Sequence, residues 1–361
     1  MPLSFVSFFQ DLVTKPALFV TVLLILGVIF VNGWTDAPNT IAACVSTGVM
    51  KMGTAVRMAA IFNLLGILCM SVANTSVAYT IYHIADFGDN PHRALIALCA
   101  ALTAIIVWAV CAWLFGIPTS ESHALIAGLS GAAIAIHNGM EGIRFEEWRK
   151  VLYGLILSVL SGFLIGFIFG KITIILYNRI KKYPSSMAQS KKIVEKAQIA
   201  GSAAMAFMHG AQDGQKFMGV FMLGIFLVNG QGNVSNFQIP VWMMLLCSMI
   251  MALGTSVGGE RIIKTVASKM VPLKKPQGAA SDAAGAVSLL LLSIAGFPVS
   301  TTHVKTTAVM GVGMAENPPK VNHEIMAEMV FAWIMTFPGC SVIGYLMAKF
   351  FLALPFMNHF F

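Results

Sequence analysis

Charge is scarce in this sequence. Asp, Glu, Lys and Arg make up only 11% of its 361 residues, against roughly a quarter in a soluble globular domain. So few charges cannot solvate the surface of a soluble fold. A soluble enzyme is excluded, even one with a membrane anchor, because no polar block is long enough to form a domain. Cysteine is sparse too. Cys44, Cys69, Cys99, Cys111, Cys247 and Cys340 all lie in apolar stretches, with no CxxC pair. They read as small core residues, which excludes a disulfide framework or a cysteine metal site. A small-residue cleavage site is missing after the apolar run 17–31, and residues 1–16 carry acid as well as base, so no cleavable signal peptide is expected.

Apolar residues are abundant, at 57% of the chain with a mean hydropathy of +0.80. Only a polytopic helical membrane protein accommodates this, because apolar side chains can then face lipid as well as core. At about 20 residues per span, the length allows roughly ten crossings. The formal charge of +8 does not indicate nucleic-acid binding. Lys and Arg gather chiefly in 179–196 and 261–275, as cytoplasmic loops do under the positive-inside rule.

Long apolar runs occupy 17–31, 54–82, 94–115, 151–178, 217–228, 239–257, 284–295 and 325–356. Between them, 32–48, 116–136, 199–216 and 296–315 are too polar for lipid yet too apolar for loops. Such stretches predict broken or re-entrant helices lining a protein cavity. They also come in pairs. Asn32-Gly33-Trp34-Thr35-Asp36-Ala37-Pro38-Asn39 matches His209-Gly210-Ala211-Gln212-Asp213-Gly214-Gln215-Lys216 at an offset of 177 (213 − 36). Gly116-Ile117-Pro118-Thr119-Ser120-Glu121-Ser122-His123 matches Gly296-Phe297-Pro298-Val299-Ser300-Thr301-Thr302-His303 at an offset of 180 (296 − 116). Two motifs recurring in one order at nearly one offset mark an internal repeat.

Loop charge sets the relative orientation of the two halves. Segment 51–57 holds Lys51 and Arg57 and no acid, whereas its counterpart 228–238 is uncharged. The connection 83–93 holds Asp86 and Asp89 against Arg93. Its counterpart holds Arg261, Lys264, Lys269, Lys274 and Lys275 against Glu260. Equivalent loops with opposite basic bias lie on opposite sides of the membrane. The predicted fold class is an all-α polytopic membrane protein made of two inverted-topology repeats with broken helices and re-entrant helical hairpins. The first repeat spans 1–178 (signature 32–40, hairpin 116–136) and the second 198–361 (signature 209–217, hairpin 296–315). A basic cytoplasmic linker, 179–197, joins them, and both termini fall outside. Inverted repeats with discontinuous helices mark secondary transporters.

Asp36 and Asp213 sit in apolar surroundings, where a carboxylate costs about 2.5–3.5 kcal/mol or more unless paired. A single one reads as well as a loop-end acid, but two at equivalent positions do not. With neutral oxygens from Thr35, Asn39, Gln212 and Gln215 beside them, they predict a hard-cation site for Na+ or a proton relay. Gly33 and Gly210 would permit the break that exposes backbone carbonyls. The Gly-x-Pro-x-Ser-x-Ser/Thr-His segments read as capped helix starts, which are anion sites. Two of them related by a pseudo-twofold would converge on one tetrahedral oxyanion, with Ser120, Ser122, Ser300, Thr301 and Thr302 donating. Ordinary capping without a ligand is the plainer reading.

Other residues divide between roles. His123 and His303 either hold backbone carbonyls or contact the ligand. Lys216 and Lys305 have no basic counterpart in the other half. Each is left to balance an acid, hold the anion or snorkel to water. Asp282 and Asn63 stand at corresponding stages of the halves as candidate cation partners. The 23 methionines read as filler, and Trp148, Trp242 and Trp333 as interfacial anchors.

At these motifs the sequence resembles the PiT family of inorganic phosphate transporters, which carries two Gly-x-Asn-Asp-x-x-Asn-like signatures and two Pro-x-Ser-Thr/x-Ser-His hairpins. The stretch NLLGILCMSVANTSVAYTIYHI is similar to bacterial low-affinity members, and the resemblance runs from about residue 17 to 352. It implies Na+- or H+-driven phosphate import across a bacterial plasma membrane by a homodimer, with no cofactor, no enzyme activity and no nucleic-acid partner. Carried over by position, Asp36, Asn39, Asp213 and Gln215, with Thr35, would hold the cation, Na+ lying at Asp36 and Asp213. Ser120, Ser122, Ser300, Thr301, Thr302 and Gln212 would hold phosphate, with support from His123, His303, Lys216, Asn63 and Asp282. The chain departs from the family at Thr35 and Gln212, which replace the Asn before each signature Asp, and at Asn63, where animal members have a glutamate. Sulfate or metal–phosphate symport and an anion channel are the rival functions, and the linker 179–197 is a candidate site for a cytosolic regulator.

Overall fold

The computed structural model describes residues 4–116, 119–182, 187–229, 238–257, 263, 273–316 and 322–355. Ile117 and Pro118 of the first hairpin, and Glu260, Arg261, Lys264 and Lys269 of the basic connection, lie outside the described residues, as do 183–186 of the linker and 230–237 of the uncharged loop.

Among the described residues the chain is helical. Its helices are α1 (Phe5–Thr14), α2 (Pro16–Thr35), α3 (Ala42–Ser46), α4 (Met52–Ala73), α5 (Ser76–Tyr82), α6 (Pro91–Leu114) and α7 (Glu121–His137). There follow α8 (Phe145–Lys181), α9 (Met187–His209), α10 (Gln215–Val228), α11 (Val241–Val257), α12 (Lys275–Ile294), α13 (Thr301–Ala315) and α14 (His323–Ala353). Among the described residues, six segments are long and apolar enough to cross a membrane: Pro16–Ser46, Met52–Ala73, Pro91–Leu114, Phe145–Lys181, Lys275–Ile294 and Glu324–Ala353.

Helix α8 shows how composition places a helix at the lipid boundary. Gly154, Ser158, Gly162, Gly166 and Gly170 face inward at four-residue spacing. That narrow stripe lets the backbone of α13 approach until a Cβ at Gly166 would strike the Ala308 carbonyl. Small residues serve this purpose because apolar burial does not drive helices together in lipid. The opposite face, with Leu152, Ile156, Leu160, Leu164 and Ile168, is exposed. Large aliphatics outside and glycines inside reverse the pattern of a soluble helix.

In chain order, α2, α4, α6, α7 and α8 can be set against α9, α11, α12, α13 and α14. Their packing obeys the same exchange: α2 lies on α11 and α9 on α4, α7 on α14 and α13 on α8, α6 on α14 and α12 on α8. Helices α7 and α13 are buried nearly all round. At 17 and 15 residues they are about 25 and 23 Å long, too short for a core of about 30 Å.

Some local expectations change. The apolar run 54–82 is two helices, because Asn74 turns extended (φ −159°) and its Oδ1 accepts the Ser76 N–H at 2.9 Å. The stretch from 199 stays regular to His209 and departs from α-geometry only over Gly210–Gly214, a π turn. Trp333 is not an interfacial anchor. It is buried against His303, with ring centroids 3.9 Å apart. Cys44, Cys99, Cys247 and Cys340 are buried as expected, whereas Cys69 and Cys111 lie on outward faces.

Candidate functional site

Both signature motifs interrupt a buried helix. Helix α2 ends at Thr35, Asp36 caps it, and Ala37–Ile41 tighten into a 3₁₀ turn with Pro38 near its start. Proline has no N–H to continue an α-ladder, so the change of pitch follows directly. At the second motif the Gly210–Gly214 turn widens instead. π turns of this kind recur at functional sites. Gly33 and Gly210 act one turn ahead of the acids. A Cβ at Gly33 would meet the backbone of Met251, and one at Gly210 the backbone of Asn63. They permit close helix contact, which brings each broken helix against the other half.

Both hairpins start a helix at the expected cap. Gly116 (φ +69°) and Gly296 (φ +77°) take the left-handed turn after α6 and α12. Ser120 then accepts the His123 N–H at 3.3 Å, and Ser300 accepts the His303 N–H at 3.2 Å.

Each hairpin meets the break of the opposite half. Thr302 Oγ1 donates to Asp36 Oδ1 at 2.5 Å, and Thr301 Oγ1 lies 3.2 Å from both Asp36 Oδ2 and Asp213 Oδ2. One hydroxyl thus spans the two carboxylates. Asn39 Nδ2 also donates to Asp36 Oδ1 at 2.9 Å. From the second break, Lys216 Nζ donates to Asp213 Oδ1 at 2.6 Å, Ser122 Oγ at 2.6 Å and the Val299 carbonyl at 2.5 Å. Asp36, Asp213, Lys216, Ser122, Thr301 and Thr302 form one cluster, every member 3% exposed or less.

Sequence reasoning missed three members of this region. His209 Nε2 is 3.3 Å from Asp213 Oδ2, and one ligating atom each from Asp36, His209 and Asp213 lies within 4.8 Å of the others. Asn63 Oδ1 faces His209 Nδ1 at 3.1 Å, so its partner is that histidine and not Asp282. Glu121 is 3% exposed and accepts from Thr35 Oγ1 at 3.1 Å. An acid between two serines of an intramembrane hairpin was the available signal. Ser202 is the third, and it donates to Asp282, which also pairs with Lys305.

Several polar atoms here have no hydrogen-bond partner among the described residues. Asn32 Oδ1, Asn39 Oδ1, Gln212 Oε1 and Gln215 Oε1 are buried and unmatched, although the Gln212 amide nitrogen reaches Ser293 Oγ at 2.7 Å. Buried amide oxygens of this kind ordinarily have a donor or an ion. Carboxylate and amide oxygens are the ligand types that a hard cation takes. His123 and His303 meet edge to face at 4.5 Å between centroids, and neither ring nitrogen of His303 has a hydrogen-bond partner among the described residues.

The model of the phosphate transporter family matches residues 32–344, a span that holds both breaks and both hairpins. A probable low-affinity inorganic phosphate transporter of Bacillus subtilis (strain 168) is 33% identical over 315 residues, 87% of this chain and 91% of that one. One of Rhizobium meliloti (strain 1021) is 33% identical over 315 residues, 87% of this chain and 90% of that one. Among solved structures, one titled the sodium-dependent phosphate transporter shares the fold with a TM-score of 0.80 at 22% identity, covering 94% of this chain and all (100%) of its own. With several apolar helices of membrane-spanning length and a family match over most of its length, this multi-pass membrane protein belongs to the phosphate transporter family.

Proposed function

We propose that the protein is a secondary symporter that imports inorganic phosphate across the plasma membrane together with Na+. The observation that carries this reading is the convergence of both helix breaks and both hairpin helix starts on one buried cluster. Charge balance there imposes coupling. Among the described residues Lys216 pairs with Asp213 and no ammonium pairs with Asp36, so phosphate arriving at Thr301, Thr302 and Ser122 meets an uncompensated carboxylate. Two unit charges about 5 Å apart at an effective dielectric near 20 interact by about 3 kcal/mol, roughly two orders of magnitude in affinity. A cation beside Asp36 turns that repulsion into attraction, and by reciprocity phosphate tightens the cation. The hydroxyl donors carry no full positive charge, which favours release of the anion on the far side.

Alternating access would come from the repeats. Element order, the exchange of packing partners and the opposite basic bias of equivalent loops support units 1–178 and 198–361 inverted about an in-plane axis. The linker 179–197 is then cytoplasmic and both termini lie outside. The relatives' printed names support phosphate as cargo, and the structural neighbour's title supports Na+.

The test is uptake of labelled phosphate into proteoliposomes with Na+ and H+ gradients imposed separately and excess sulfate as competitor. The reading expects uphill accumulation under the Na+ gradient, undiminished by sulfate, and loss of uptake in a folded Asp36→Asn protein. Accumulation under the H+ gradient alone would make the proton the coupling ion. Loss of signal to sulfate would indicate a sulfate carrier. Equilibration without accumulation would indicate an anion channel.

A further inference from the structure

Each break carries an aspartate with a donor three residues on, but the two donors differ in charge. Asn39, three residues after Asp36, donates its amide to Asp36 Oδ1 at 2.9 Å. Lys216, three residues after Asp213, donates its ammonium to Asp213 Oδ1 at 2.6 Å. At the 177-residue offset that lays Asp36 on Asp213, Asn39 falls on Lys216. A neutral amide at one break is thus replaced by a full positive charge at the other.

The ammonium is locked in place. Its three protons face three acceptors, namely Asp213 Oδ1, Ser122 Oγ and the Val299 carbonyl. That is the full donor capacity of a lysine. The residue is 1% exposed, so water does not compete. The same asymmetry holds around it. Asp282, the other buried acid of the second half, is paired with the fully buried Lys305. Asp36 and Glu121, the buried acids of the first half, have no ammonium partner among the described residues. Their donors are Asn39, Thr301 and Thr302, and Thr35.

We propose that Lys216 is a tethered counter-ion. It holds at the second break the place that a transported cation takes at the first, so each phosphate moves with one cation fewer than two symmetric carboxylate sites would require. This rests on the symporter reading above. Lys216 is a positioning residue for charge balance, and Asp36 is the open site of the mobile cation.

The test reads net charge moved per phosphate, taken from the reversal potential of proteoliposomes clamped with K+ and valinomycin, under whichever gradient drives the native protein. Lys216→Asn should raise that number by one elementary charge, and the mirror change Asn39→Lys should lower it by one. An unchanged number in a variant that still transports overturns the proposal. Weaker phosphate affinity with unchanged charge also overturns it, by making Lys216 an anion ligand.

Should neither variant transport, labelled phosphate binding is measured on purified protein in detergent at varied Na+ and pH. Asp213→Asn combined with Lys216→Asn removes a neutral pair and creates no new unpaired buried charge. The double variant should keep the native cation dependence of phosphate affinity, and Asp36→Asn should lose it. Any other combination overturns the proposal. Native transport that couples to neither gradient would instead sink the symporter reading, so the two failures are distinct.

Discussion

Replacing Lys305 with methionine tests how the interior tolerates charge. Lys305 and Asp282 pair with both side chains at 0% exposure, and Ser202 supplies the carboxylate's other donor. Methionine keeps most of the aliphatic volume, so the loss is electrostatic and not one of packing. Stripping one partner from a buried pair leaves an uncompensated charge and costs about 3–5 kcal/mol. The double variant Asp282→Asn, Lys305→Met leaves no charge, and the Ser202 hydroxyl still finds an amide oxygen to donate to. Its stability should return to within about 1 kcal/mol of the native protein. Unfolding entropy of about 2 cal/mol/K per residue over 361 residues turns 4 kcal/mol into a Tm shift of roughly 5 °C. The assay is thermal unfolding of purified protein in detergent, followed by tryptophan fluorescence. Lys305→Met should melt roughly 4–7 °C low, and the double variant within about 2 °C of native. A single variant melting with the native protein, or a double variant as unstable as the single, would refute the reasoning.

Three further outcomes follow from named contacts. Ser300→Ala removes the N-cap of α13 and a hydroxyl from the proposed anion site, so phosphate affinity should weaken and stability fall by about 1 kcal/mol; unchanged affinity in equilibrium binding would remove this helix start from the anion site. Gly166→Leu drives a side chain into the Ala308 backbone and should separate α8 from α13, with a loss above about 3 kcal/mol visible as poor expression and a low Tm. Burial raises the Asp86 pKa, but the Gly88 N–H and Arg144 at 2.9 Å outweigh it and hold the carboxyl below its usual value. The stabilising contribution is therefore present at neutral pH and lost as pH falls through that depressed range. Arg144→Gln should lower Tm slightly at pH 7 and not at all once the medium is well below the ordinary aspartate value of about 4.

What was legible in the sequence was local. Charge scarcity dictated a membrane protein, since only lipid accepts so much apolar surface. The paired aspartates marked the breaks, because an intramembrane acid acts on its own turn. Ser120 and Ser300 were readable as caps because a cap needs only the N–H three residues ahead. Tertiary structure decided who meets whom. Thr302 finds Asp36 across 266 residues and Lys216 finds Ser122 across 94. Asn63 faces His209 and not Asp282, and Trp333 turns inward onto His303. Glu121 and His209 join the centre from motifs whose spacing assigned them no role. A side chain's partner depends on how the broken helices cross. Backbone contacts at Gly33 and Gly210 set that crossing, and they become visible only once the halves are packed together.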